Sequence, residues 1–348
     1  MTRTMPLAAR RVLRLAFATA LALAVAYAIN RPLQYLAPLM TFMLVSSPGP
    51  PLKAKQFIGL LFLVLVSCGT GLMITPLLTK FPTVGLTLVA VGLYLANRIV
   101  AKKGQNVPAL LFTVGLTMIT VAGTASFALA LMVVGSLLFA IVIAVLCQLV
   151  GHLIFPDEGQ PVKATVAETH PSNELHWRAL RATLIVLPSY LLALVNPMMY
   201  MPLILKSLAM GQQESVGSAR AFGREIIEST LLAGVLAVLF WWALKLHPSL
   251  WLFCLWMLLF GLYIASKLYG VSETRYPPSF WIPVAVNLLI LVGPAVTDSA
   301  NGDDVYKAFA VRFTLFLAVS IYAFGAVSAL ESLRRGATEE PHLTVTES

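Results

Sequence analysis

The first 156 residues contain no aspartate and no glutamate, although they hold 11 lysines and arginines. The first acid is Asp157. A cation pathway needs carboxylates or rings of carbonyls, so this half of the chain has no carboxylate to offer one. Charge of either sign is scarce throughout. Only 11% of the 348 residues are charged, against about 25% in soluble domains. Cysteine is scarce too. Cys68, Cys147 and Cys254 stand apart inside apolar runs, which excludes a disulfide framework and leaves no metal-ligand spacing. No His-Glu-x-x-His, Gly-x-Ser-x-Gly or phosphate-loop motif occurs, and the five histidines are scattered. The sequence therefore points to no enzyme, no cofactor and no metal. The net charge of +9 does not indicate nucleic acid, because the basic residues fall in short loops between apolar runs and leave no soluble basic face.

What is there in abundance is apolar length. Hydrophobic residues make up 59% of the chain. Apolar segments run roughly over 12–29, 34–47, 56–78, 83–97, 107–122 and 125–154, then over 178–195, 198–210, 228–244, 249–266, 279–296 and 306–330. Most approach the ~17–25 residues that cross a bilayer as a helix. They are continuously apolar with no period of two, which favours helices over a barrel. The expected fold is an all-α integral membrane protein of about 12 transmembrane helices.

The two sets of six repeat one another. Arg11-Val-Leu-Arg14 opens the first set and Arg178-Ala-Leu-Arg181 the second. Asn30 and Asn196 close equivalent runs, and Pro38 and Pro202 fall in equivalent short segments. Gly92–Arg98 reads GLYLANR and Gly261–Lys267 reads GLYIASK, at an offset of 169 that also carries Pro108 onto Pro277. Six is an even number, so both sets enter the membrane from one side as parallel repeats. The expected division is a first repeat over 1–155, a linker over 156–176, a second repeat over 177–332 and a polar tail over 333–348. Arg3, Arg10, Arg11 and Arg14 before an apolar core resemble a signal peptide, with Ala26-Tyr27-Ala28 as a cleavage site. The mid-chain copy of this segment argues for an uncleaved helix instead.

Basic residues set the orientation. With the N-terminus inside, the cytoplasmic ends collect 18 lysines and arginines and the opposite face about five, with Lys206 unassigned. That bias predicts both termini in the cytoplasm.

Candidate site residues follow from the repeat. Arg14/Arg181 and Arg98/Lys267 lie at the cytoplasmic ends of equivalent helices. They either snorkel to headgroups or form a two-sided basic vestibule that gathers anions. Tyr94/Tyr263 and Asn97/Ser266 lie within a turn of Arg98/Lys267. Ring, polar group and cation together suit an aromatic acid, while interfacial-belt tyrosines are the plainer reading. Short segments interrupted by Pro38 and Pro202 at matching places point to a transporter's substrate pathway. Arg224 and Glu228 have helix-pair spacing; Glu228 is also the best-placed carboxylate for proton coupling. Asp298, Asp303 and Asp304 read as solvated acids of an outer loop.

The stretch from Arg11 to Pro156 resembles the membrane domain of the fusaric-acid-resistance and aromatic-acid-exporter superfamily. The resemblance rests on Arg11-Val-Leu-Arg14, the Asn30/Pro38 region, the Pro82 hairpin, the Gly92–Arg98 run and a long sixth helix ending in Leu153-Ile154-Phe155-Pro156. The second half follows the same plan more loosely. Typical exporters of that group carry a large cytosolic domain; here about 22 polar residues join the halves, as in a compact branch. The resemblance implies export of small organic anions, aromatic carboxylic acids first, from the bacterial inner membrane. It also implies membrane lipid and, often, a periplasmic adaptor of the membrane-fusion type as partners. A homo-oligomer stays open. Other readings are a major-facilitator-like transporter, whose basic loop between the second and third helices is missing from Ser46–Lys55 (SSPGPPLKAK), a passive anion channel, or a non-transporting membrane subunit.

Overall fold

The computed structural model describes residues 5–47, 49–103, 106–156, 172–211, 219–302 and 304–339. Twelve helices make up nearly all of them, and no strand occurs among the described residues. The first six are α1 Leu7–Ile29, α2 Leu36–Ser46, α3 Ala54–Lys80, α4 Pro82–Lys103, α5 Asn106–Ala125 and α6 Phe127–Ile154. The second six are α7 Ser172–Val195, α8 Pro197–Gly211, α9 Ala219–Leu246, α10 Leu250–Leu268, α11 Pro278–Asn301 and α12 Val305–Glu339. Among the described residues, nine helices are long and apolar enough to cross a membrane. The chain is a multi-pass helical membrane protein.

Helix boundaries follow local chemistry. Ser126 and Ser249 cap α6 and α10, each accepting a backbone N–H three residues on. Asn30 ends α1 in the left-handed conformation (φ 54°), which asparagine tolerates, and Gly302 ends α11 the same way. Prolines stand at the first turns of α4, α8 and α11, where a missing N–H costs nothing. Three helices reach further than hydropathy alone predicts. α7 begins at Ser172, α9 at Ala219 and α12 continues to Glu339. Their extensions are rich in Ala, Leu, Glu and Arg, which sustain a helix beyond its apolar core. Most of the expected linker lies outside the described residues, and so do Asp303 and the end of the tail.

Small residues bring helices close where lipid offers no hydrophobic incentive to associate. On α3, Ser67, Gly71 and Thr75 face Gly115, Ile119 and Gly123 of α5. A Cβ added at Gly71 would stand 2.9 Å from that of Ile119, and Ser67 Oγ donates to the Phe112 carbonyl at 2.5 Å. Helices α2, α5 and α11 are largely enclosed, whereas α3, α4 and α10 turn apolar side chains such as Phe62, Met73 and Trp251 outward. Such faces suit lipid.

The two sets of six interlock. α1 packs on α10 and α4 on α7; α2 packs on α11 and α5 on α8. Within the sets, α3–α5 is matched by α9–α11, and α1–α2 by α7–α8. Tyrosines tie the seam. Tyr27 donates to the Gly293 carbonyl at 3.2 Å, Tyr190 to Thr120 Oγ1 at 2.9 Å, and Tyr269 to the Ser46 carbonyl at 2.9 Å.

Candidate functional site

A cavity of about 430 Å³ opens between the two sets of helices at the end away from the N-terminus. The first set supplies Pro32, Leu33 and Tyr35 from the α1–α2 turn and Leu129, Met132 and Val133 from α6. The second set supplies Asn196, Pro202, Pro294, Thr297, Asp298 and Arg312 from α7–α8, α11 and α12. Its walls are thus apolar and aromatic with a few polar groups, the usual make-up of a small-molecule site. Leu33 holds a left-handed backbone (φ 55°). That conformation costs a leucine about 1–2 kcal/mol, and such strain concentrates at functional sites.

Arg312 and Asp298 form a two-armed ion pair on the cavity wall. The second arm, Nη2 to Oδ1, measures 3.2 Å. Both side chains are largely enclosed. Asp298 is therefore not the solvated loop acid expected from sequence. α11 continues through it to Asn301, and the α11–α12 hairpin folds Arg312 back over it.

One turn past Pro202 on α8 lies Lys206, 1% exposed. Its ammonium donates to Thr230 Oγ1 of α9 at 3.1 Å and to the Phe316 carbonyl of α12 at 2.7 Å. It also stands 4.5 Å from the centre of the Phe316 ring. Asn287 of α11 donates to Thr230 Oγ1 at 3.5 Å, and Ser320 of α12 lies 3.1 Å from the same oxygen. Four helices of the second set meet at this point. Sequence reasoning left Lys206 unassigned. The signal was present: it is the one charge inside the 198–210 segment, four residues after the proline singled out there.

The residues expected from sequence divide into separate environments, except that Lys267 Nζ stands 5.9 Å from the centre of the Tyr263 ring. Arg14 and Arg181 are both buried, and the Arg14 stem packs on Gly151 of α6. Arg98 is exposed. Lys267 turns onto its own loop, donating to Ser272 Oγ at 2.8 Å and the Glu273 carbonyl at 2.5 Å. The repeated helices pair crosswise, α4 with α7 and α10 with α1, and so Asn97 donates to Thr183 of α7 at 3.4 Å. Ser266 instead donates to the Tyr263 carbonyl at 2.7 Å. Tyr94 meets His176 Nδ1 at 2.5 Å, while Tyr263 packs edge-on against Trp281. Pro38 and Pro202 are both buried, but only Pro202 lines the cavity. Glu228 pairs with Arg224 at 2.5 Å, as their spacing implied, and Glu225 accepts from Ser279 at 3.0 Å. The three cysteines are free thiols. Among the described residues, no group of His, Cys, Asp and Glu gathers closely enough to hold a metal.

Residues 11–150 match a family model described as Protein of unknown function (DUF2955). That span is less than half of the chain. It runs from the start of α1 almost to the end of α6, so the matched unit is the first set of six helices. No curated protein and no solved structure matches the chain.

Proposed function

We propose that the chain is an inner-membrane exporter of small organic anions, with aromatic carboxylates the first class to test. It is built as two parallel six-helix repeats with both termini in the cytoplasm. The observation that carries this reading is the cavity between the two sets of helices, with the Arg312–Asp298 ion pair and a buried phenol in its wall.

Four further facts support it. Contacts between the sets come in matching pairs, α1–α10 with α7–α4 and α2–α11 with α8–α5, as a twofold axis along the membrane normal produces. The family match covers one set of six. Lysine and arginine concentrate at the N-terminal face, which retains positive charge inside. The likeness of Arg11–Pro156 to the aromatic-acid-exporter superfamily points the same way. Basic residues at the inner face raise the local concentration of anions, and an inside-negative potential drives an anion outward by about 2.3 kcal/mol per 100 mV.

Benzoate efflux from preloaded cells, with and without the protein, tests the function. Faster efflux and greater tolerance of weak aromatic acids are expected. Altered tolerance of cationic dyes alone would remove the anion reading, and a gradient that only dissipates would make the protein a passive channel. Reporter fusions at Pro156 and after Ser348 test the topology; a periplasmic signal at either place would break the parallel-repeat arrangement.

A further inference from the structure

We propose that Lys206, with Thr230, Asn287 and Ser320 around it, is a membrane-embedded binding point for the carboxylate of a small monocarboxylate. An ammonium has three N–H donors. Here two reach acceptors, Thr230 Oγ1 and the Phe316 carbonyl, and both acceptors are neutral. Among the described residues no carboxylate pairs with Lys206. Burial among neutral groups disfavours the ammonium form of a lysine unless a counter-charge joins it, and ionisable groups within membrane spans mark ligand or ion pathways. A carboxylate ligand supplies both missing elements, the counter-charge and a third acceptor.

The position suits such a ligand. Pro202 and Arg312 line the cavity, and Lys206 and Phe316 follow each by four residues on α8 and α12. Four residues advance a helix by about 6 Å. The two cations therefore stand in series along the same helix pair. Arg312 is neutralised by Asp298; Lys206, deeper, is the one left without a charge partner. The apolar wall of the cavity, with Pro202 one turn before Lys206 on α8, offers surface to the organic part of the ligand. Thr230 holds the ammonium in place. Its own hydroxyl proton goes to the Ile226 carbonyl at 2.7 Å, which leaves its oxygen free to accept from Lys206.

The site rests on the anion-exporter reading for its ligand class, but its test is binding rather than flux. Purified full-length protein is titrated with sodium benzoate, with sodium chloride as the comparison, and binding is read from the rise in thermal midpoint. The wild type should bind benzoate and prefer it to chloride. Lys206→Met should keep its helical signal and unliganded midpoint, since an apolar replacement of similar length removes a buried charge. It should lose affinity on the order of tenfold or more, the scale of a charge-assisted hydrogen bond. Thr230→Val, which keeps the lysine, should weaken binding by a smaller factor, and it carries the test alone if Lys206→Met does not accumulate. Wild-type affinity in either variant overturns the proposal, as does a wild type that binds benzoate no better than chloride. Normal benzoate export by Lys206→Met would remove the site and keep the exporter. Lys206-dependent binding without transport would keep the site and remove the exporter.

Discussion

Helices α2 and α8 are short, carry an equivalent proline and sit inside the bundle, yet they differ at one decisive place. Pro38-Leu-Met-Thr-Phe42 aligns with Pro202-Leu-Ile-Leu-Lys206, so a phenylalanine and a lysine occupy the same position. Both are buried. Phe42 shares a small pocket with Leu15, Met257, Ile264, Leu288 and Leu289, where Thr19 is the one hydroxyl, and α2 packs closely on α1 and α6. Around Lys206 the second set supplies Thr230, Asn287 and Ser320. The same contrast runs through the molecule. The first six helices have no acid and no ion pair of their own, whereas the second six hold Arg312–Asp298 and Arg224–Glu228. The ion pairs and the polar cluster around Lys206 are thus concentrated in the second set of helices.

Exchanging the two side chains breaks that contrast most severely. Phe42→Lys places a charge in a pocket whose one hydroxyl, Thr19, donates to its own helix, at an expected loss of roughly 3–5 kcal/mol; little folded protein should reach the membrane. Lys206→Met should leave accumulation near normal. Membrane levels and detergent midpoints measure both. Equal losses would mean that Lys206 is a structural tie and the halves do not differ in role.

Next in size is the wall of the cavity. Asp298→Asn or Arg312→Gln strands one member of the pair, and the expected loss is about 2 kcal/mol, below the ~3–5 kcal/mol of a fully buried pair. The double variant should recover part of it. Strict additivity in a double-mutant cycle would show that the pair contributes no coupling.

The seam between the halves comes third. Tyr27 and Tyr35 of the first half rest on Gly293 of α11. A methyl group there meets Tyr35 directly, and Gly293→Ala should cost about 1–3 kcal/mol through overpacking. Gly135→Ala, with open space around it, is the control and should not destabilise.

The smallest effects belong to the positions that the two halves share. Arg98 is exposed and Lys267 is tied to its loop. The double Gln variant should slow benzoate export by at most about fivefold, the equivalent of ~1 kcal/mol. The deficit should shrink as salt rises and screens the inner face. A larger, salt-independent loss would move the binding point from Lys206 to the inner mouth.

Much of the fold was legible because a bilayer simplifies it. Apolar length and the need to satisfy every backbone group leave few choices beyond helices, and all 12 expected segments are helical. Ends were less legible. Hydropathy stops where charges begin, but helix propensity does not, as α9 and α12 demonstrate by continuing through Arg224 and past Arg335. The site was the least legible part. Asp298 stands 14 residues before Arg312 and reads from sequence as a solvated loop acid, until the α11–α12 hairpin closes one over the other. Lys206 was visible as an anomaly, but its partners Thr230 and Phe316 lie 24 and 110 residues away.

By itself, then, the sequence determined that this chain lives in a membrane, where its apolar helical segments fall, and where its charges are rare enough to matter. Those properties are sums over local stretches, and each residue contributes to them wherever its neighbours go. Only the tertiary structure decided which rare charges are neutralised and which are not. Arg312 has Asp298, whereas Lys206 has, among the described residues, only neutral oxygens and a ring. The physical reason is that the cost of a charge in a low-dielectric interior depends on what lies within a few ångströms, and that company is chosen by helix packing.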